Sequence, residues 1–250
     1  GKFDRTLSKY SLRKNRTSLV TGKSLKTSAF YAPSPRTRTG ASLDLVHNKN
    51  ERQVSQNGLN LARYVQVNAA HGASRRLMLD ALGTVSLFSF RYQDPVSDRD
   101  NLTTYFNLGS GYAVSARCST QVHFSRNRSH AIAINPSQSG NNNVQTTYKM
   151  YAGLLLQASP SLKISQNYVL NAVYQIYDGA SAERRNVLSR IRRIDTMVQD
   201  ALFPFASLRL VHNFLFRDSG VYSRPQGGQD REYTVASEIY QQNLGLAVFI

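Results

Sequence analysis

The sequence contains one cysteine, no tryptophan and no long hydrophobic run among its 250 residues. Cys118 is the only cysteine, which excludes an intrachain disulfide and a cysteine-based zinc site. No run of about 18 apolar residues occurs, so a transmembrane helix is excluded as well. No metal-ligand spacing links the five histidines, His47, His71, His123, His130 and His212. We therefore expect neither a metal nor a cofactor.

Acidic residues are also scarce. Asp and Glu number 15 against 31 Lys and Arg, and the formal net charge is +16. This excess favours polyanionic partners such as nucleic acid, anionic lipid headgroups or acidic sugars. The basic residues are spread along the chain without a block of five or more and without an RNA-binding signature, so nucleic acid is the less favoured of these. No Gly-x-Ser-x-Gly elbow is present, and we expect no enzymatic activity.

The segment "KMYAGLLLQASPSLKISQNYVLNAVYQIYD", residues 149–178, has a period of two. Its apolar side chains stand mostly at even positions, such as Met150, Leu154 and Leu156, while the odd positions are mostly polar or small. Alternation of this kind is typical of a β-strand with two different faces. Ser159-Pro160-Ser161 interrupts the pattern once, which predicts a hairpin with a tight turn.

The same alternation recurs along most of the chain and predicts about twelve strands, many of them longer than the five or six residues usual in soluble sheets. Residues 1–40 are less regular and could instead form a basic extension of a single domain that covers residues 1–250. The predicted strands are 3–12, 17–31, 41–47, 59–69, 77–92, 102–116, 119–126, 146–158, 162–177, 191–203, 207–217 and 232–250.

Short and long connections alternate between these strands. The short ones fall at Arg117-Cys118, Ser159-Pro160-Ser161 and Pro204-Phe205-Ala206. The long ones are "QDPVSDRDN", "RNRSHAIAINPSQSGNNNVQ", "DGASAERRN" and "RDSGVYSRPQGGQD". Up-and-down β-barrels of outer membranes have this layout, with tight periplasmic turns and long outer loops.

The final segment "NLGLAVFI" places Leu244, Leu246, Val248 and Ile250 on one face and ends at the last residue given. It resembles the closing strand of bacterial outer-membrane β-barrel proteins, although those strands usually end in Phe. The resemblance covers residues 41–250 and concerns the porin-like class, with no specific family. It implies an antiparallel transmembrane barrel in contact with outer-membrane lipid. Because the chain begins with Gly1 and has no signal peptide, we expect a processed or partial chain.

A channel function follows from the same parity. If the even positions of residues 146–177 face lipid, the odd positions line the lumen. The expected basic lining residues are Lys149, Lys163, Arg193, Arg209 and Arg217; the expected polar lining residues are Tyr151, Asn167, Asn171 and Asn213. Asp195 is the clearest acidic residue on that face. Cations in a confined lumen raise the local anion concentration, so we expect a narrow channel that prefers small anionic solutes, or that holds a bound polyanion.

Three other interpretations remain open. The barrel, or a wall segment of a larger assembly, could be a scaffold for a protein partner or for further copies of the chain. A soluble β-sandwich would also contain alternating strands. A soluble, basic, nucleic-acid-binding or capsid-like β protein would explain the charge. Four polar residues, Arg63, Asp80, Gln166 and Asp200, fall on the apolar parity of their strands and oppose the barrel, whereas Phe88, Phe90 and Tyr92 would fit an aromatic girdle at a strand end.

Overall fold

The computed structural model describes residues 2–12, 18–52, 58–92, 95–178, 186–203, 206–223 and 232–249. Twelve strands lie in one sheet in chain order, each antiparallel to the next. They are β1 Lys2–Leu12, β2 Ser18–Ser34, β3 Thr37–Arg52, β4 Gly58–Gly72, β5 Leu77–Tyr92, β6 Arg99–Ser115, β7 Cys118–Ala133, β8 Asn143–Gln157, β9 Leu162–Tyr177, β10 Val187–Phe203, β11 Ala206–Ser223 and β12 Glu232–Phe249. The predicted all-β, up-and-down antiparallel fold is confirmed by this strand order. No helix in the described ranges is long and apolar enough to cross a membrane.

Every predicted strand is present, and most are longer than the sequence indicated. β5 and β9 have the predicted bounds, and the two less regular strands near the start of the chain are β1 and β2. β7 was predicted to end at residue 126 but extends to Ala133, and β8 begins at Asn143. The predicted loop at 126–145 was therefore too long. Arginines at 126 and 128 concealed the continuation of β7, because they interrupt the apolar positions of that strand.

The alternation of short and long connections is confirmed. Residues 35–36, 73–76, 116–117 and 158–161 join strands at one end of the sheet, and 134–142 join strands at the other. Residues 93–94, 179–185, 204–205 and 224–231 of the other predicted connections lie outside the described residues. Cys118 was predicted to lie in a short turn but is the first residue of β7, with Leu156 opposite it on β8. We call these two ends of the sheet the short-turn end and the long-loop end.

In the described part of the chain, all twelve strands belong to a single layer. The soluble-sandwich interpretation is therefore wrong, because it requires two packed sheets. Leu188 is the only buried hydrophobic side chain that the described residues contain, at 4% exposure. Both faces of the sheet are thus left for a partner, a lipid or a solvent to cover. Among the described residues, β1 and β12 do not pair with each other.

Candidate channel-lining face

One face of the sheet carries all nine residues predicted to line a lumen. Residues directly opposite each other on neighbouring strands point to the same side of a sheet. The unbroken register from Val187 to Asp200 places Arg193 on the same side as Val169 and Tyr151. Directly opposite residues can be followed in this way across β8, β9, β10 and β11. They place all nine predicted residues on one face: Lys149, Tyr151, Lys163, Asn167, Asn171, Arg193, Arg209, Asn213 and Arg217. We call this side the polar face.

The basic residues of the polar face lie at two heights. Lys163, Gln199 and Arg209 form one cross-strand row beside the short-turn end. Lys149 and Arg217 lie in a higher row, separated by Asn171 and Ile191. At about 4.8 Å between strands, the backbones are about 10 Å apart in the first pair and about 14 Å apart in the second. Lys149 lies near the middle of β8, and not near its end as the predicted bounds implied.

Electrostatic pairing distinguishes Arg193 from the other four cations. Its Nε lies 2.8 Å from Oδ2 of Asp195, and its side chain is 52% exposed. Lys149, Lys163, Arg209 and Arg217 are exposed and take part in none of the ion pairs found among the described residues. Four of the five predicted cations therefore keep their charge available, while Asp195 balances the fifth.

A hydrogen-bonded group stands between these basic rows. The Tyr151 hydroxyl donates to Oδ1 of Asn167 at 2.6 Å and accepts from Nε2 of Gln121 at 3.0 Å. The three side chains surround Gly153, which lies directly opposite both Gln121 and Asn167. Gln121 was not predicted as a lining residue. The register between β7 and β8 would have identified it, but the alternation alone did not provide that register.

Asp80 lies on the polar face, contrary to the sequence prediction. It is opposite Gly109, in the row that continues to Tyr151, and Nδ2 of Asn107 donates to Oδ2 of its carboxylate at 3.5 Å. Phe88 and Phe90 share this face with it, whereas an aromatic girdle on the apolar face would need them on the opposite side. β5 is apolar on both sides over much of its length, which made its parity ambiguous.

The other three residues that opposed the barrel do lie on the second face, which we call the apolar face. Arg63 is opposite Leu45 and Leu87, Gln166 is opposite Leu154, and Asp200 is opposite Leu162 and Leu208. Large hydrophobic side chains on this face are substantially exposed, among them Val67, Val85, Phe106, Leu108, Val122, Phe124, Met150 and Leu154.

Metal-ligating side chains do not gather anywhere in the described ranges. No group of three or more His, Cys, Asp or Glu there could hold a metal ion. The expectation that the chain needs no metal or cofactor stays a prediction.

Comparison with known proteins gives similarity of structure only. No protein-family model and no curated protein matches the chain. Solved structures similar to it include OmpT, an outer membrane protein of Vibrio cholerae, at 9% identity and a TM-score of 0.43, covering 98% of this chain and 94% of that one. The likeness is one of architecture alone. The β domain of the Bordetella autotransporter BrkA has 11% identity and a TM-score of 0.35, with the same coverages. The NanC porin has 9% identity and a TM-score of 0.30, covering 94% of this chain and 97% of that one.

Proposed function

We propose that the chain forms the wall of a bacterial outer-membrane β-barrel, whose polar face lines a narrow, anion-preferring conduit for small polar solutes. The short turns then face the periplasm and the long loops face outward, as in barrels with this alternation. The conduit performs no chemistry, and residues 1–250 act as one domain. A barrel of about twelve strands leaves little open space once inward side chains fill it, which favours a narrow channel over a wide pore.

The exposed apolar face carries this proposal. A soluble protein of this size buries a large core, and contiguous exposed apolar patches above a few hundred Å² are rare on monomers. Here the single layer leaves Val85, Phe106 and Leu154 at 40–48% exposure, with Leu188 alone buried among the described hydrophobic side chains. Strands of 15 to 18 residues, such as β8 and β11, are long enough to cross a bilayer at a tilt. Lipid is the solvent that fits this face.

Charge on the opposite face supports anion preference. Its described cations are Lys26, Arg38, Arg99, Lys149, Lys163, Arg193, Arg209 and Arg217, and its described acidic side chains are Asp44, Asp80 and Asp195. Asp44 is directly opposite Lys26, and Asp195 pairs with Arg193. The remaining excess is positive, and charges in a confined lumen are screened less than charges on an open surface.

Reversal potentials across a salt gradient in planar bilayers test the proposal. We expect the protein to conduct ions, and we expect the sign of its reversal potential to show that anions cross more readily than cations. Lys149→Glu combined with Arg209→Glu should move that potential towards cation preference, because two exposed cations of the polar face become anions.

Arg128→Glu is the matched control for Lys149→Glu, because it makes the same charge change on the apolar face. It should leave the reversal potential unchanged. The proposal of an anion-preferring lumen lined by Lys149 would be contradicted if the unaltered protein selected cations. It would also be contradicted if Lys149→Glu alone and Arg128→Glu alone changed the reversal potential equally.

The unpaired edges of the sheet favour a second candidate, a wall segment of a larger assembly. Among the described residues β1 and β12 pair only with β2 and β11, respectively, and Leu244 and Leu246 of β12 are 71% and 67% exposed. A free strand edge can pair with another chain. A stoichiometric partner or a stable oligomer in detergent, combined with no conductance, would favour this scaffold over the channel.

A further inference from the structure

The apolar face carries arginines at an intermediate height, between the ends of its strands. Arg126 and Arg128 lie two residues apart on β7, and Arg190 and Arg192 repeat that spacing on β10. Arg126 and Arg190 belong to one cross-strand row, with Tyr148 and Ala172 between them. Arg126 and Arg190 are therefore at the same height, about 14 Å apart across three strand spacings. Arg128 lies two residues nearer the long-loop end, and Arg192 lies two residues nearer the short-turn end.

Aromatic rings support these guanidinium groups. Arg126 lies 5.8 Å from the centroid of the Tyr148 ring, and Arg192 lies 5.4 Å from that of Phe216. Tyr148 packs edge-on against Tyr174 at 5.9 Å. Rings beneath a cation hold it in place without neutralising its charge. We call Arg126, Arg128, Arg192, Tyr148 and Phe216 the arginine–aromatic belt.

The belt keeps its charge, unlike its neighbour. Arg190 donates hydrogen bonds from two of its nitrogens to the carboxylate of Asp218, which is 1% exposed. Arg126, Arg128 and Arg192 are exposed and belong to none of the ion pairs in the described part of the chain. Their charge is therefore available to an anion from outside the chain.

The height of the belt fits one boundary of a bilayer. Between the belt and the short turns, the described apolar face of β7–β11 carries no Lys or Arg. On β8 the interval to Gln157 is 10 residues from the row of Arg126, at Tyr148, and 8 residues from the row of Arg192, at Met150. A tilted strand needs about 9–11 residues to cross the hydrocarbon. A basic residue that faces lipid destabilises a barrel much more at the midplane of the bilayer than near the interface, which favours a position near the interface for the belt.

We propose that the arginine–aromatic belt binds the phosphate groups of anionic membrane lipids at the boundary on the long-loop side. This inference rests on the proposed membrane function and adds to it the height of the bilayer and the class of lipid. A guanidinium group fits a phosphate through two parallel hydrogen bonds, and aromatic rings favour headgroup depth. The strand residues above the belt, such as 143–147 of β8, then project from the membrane with the long loops.

Lipid selectivity measured with spin-labelled lipids tests the belt. The purified chain is reconstituted in phosphatidylcholine vesicles, and the association of labelled phosphatidylglycerol is compared with that of labelled phosphatidylcholine. We expect about a fivefold preference for phosphatidylglycerol at a lipid site formed by one arginine, which corresponds to about 1 kcal/mol for a basic residue near a membrane surface. The triple variant Arg126→Gln, Arg128→Gln, Arg192→Gln should reduce that preference to about onefold.

A matched variant removes three charges from the polar face, Lys149→Gln, Lys163→Gln and Arg209→Gln, and should keep the lipid preference. Flotation with the vesicles after a high-salt wash is measured for every variant. If the chain integrates into the vesicles but shows no preference for phosphatidylglycerol, the belt proposal is wrong and the membrane proposal still stands. The same holds if the two triple variants lose the lipid preference equally. Release of the unaltered chain from the vesicles by salt overturns both.

Discussion

The Tyr151 hydroxyl donates a hydrogen bond of 2.6 Å to Oδ1 of Asn167, and the two side chains close over Gly153 on the polar face. A Cβ at position 153 would stand 2.7 Å from that hydroxyl and 3.1 Å from that oxygen. Gly153→Ala should therefore separate the pair and destabilise the protein by about 1–2 kcal/mol, the cost of a lost hydrogen bond and some repacking. Denaturant unfolding in detergent, followed by far-ultraviolet circular dichroism, measures it.

Gly111→Ala is the matched control, because Gly111 lies opposite Gln121 on the same face and a Cβ there meets nothing within 4 Å. Replacing a strand glycine with open space around it should stabilise by about 0.5–1 kcal/mol. If both alanines had the same effect, the contact over Gly153 would contribute nothing to stability.

The pair of Arg190 and Asp218 gives a second prediction. Asp218 is 1% exposed, and Nε of Arg190 lies 3.0 Å from each of its carboxylate oxygens. Arg190→Ala would leave a buried carboxylate without its partner, and we expect a loss of about 3–5 kcal/mol in the free energy of unfolding. The same unfolding measurement checks it.

Arg193→Ala on the same strand provides the comparison. Its ion pair with Asp195 involves a side chain that is 52% exposed, so the loss should be about 0–1 kcal/mol. Replacing both Arg190 and Asp218 with hydrophobic residues of similar volume should restore most of the stability lost in Arg190→Ala. Equal losses for the two arginines would mean that the burial of Asp218 has no energetic consequence.

Adjacent residues on opposite faces test which side meets lipid. The sequence contains no tryptophan, so each substitution introduces a single fluorophore. We expect Met150→Trp, on the apolar face, to be quenched strongly by lipids brominated in their acyl chains, and Lys149→Trp, on the polar face, to be quenched little. Leu154→Trp should be quenched more than Tyr148→Trp, since position 154 lies between the belt and the short turns. Stronger quenching at position 149 than at position 150 would mean that the polar face, and not the apolar face, meets lipid.

The sequence was sufficient to predict the strands and most of the face assignments. A period of two is local, so Lys149, Asn167 and Asn171 could be assigned to one side before any pairing was known. The same local signal failed at Asp80, because β5 has hydrophobic residues on both sides. It also missed the end of β7, where Arg126 and Arg128 stand at positions expected to be apolar.

Pairing between strands could not be predicted, and the site depends on it. Gln121 meets Tyr151 only because the register of β7 with β8 places Gln121 opposite Gly153. The neutralisation of Arg193 by Asp195 depends on the side-chain conformations of residues two apart on one strand. A charge pattern in the sequence does not distinguish a paired cation from a free one.

The ion pair of Arg193 with Asp195 leads to the last prediction, which concerns the strength of anion preference. A closely paired arginine and carboxylate act on distant ions as a dipole, so Arg193 adds little to the field along the polar face while Asp195 is ionised. Asp195→Asn removes one negative charge and should shift the reversal potential further towards anion preference. Asp200→Asn, also on β10, makes the same change on the apolar face, where Asp200 lies opposite Leu162 and Leu208, and should leave the potential unchanged. The two variants make the same chemical change and the same change of charge, but on opposite faces of the sheet. Equal shifts in the reversal potential would therefore refute the assignment of the polar face to the lumen. A shift in Asp195→Asn alone would identify the polar face as the surface that permeating ions meet.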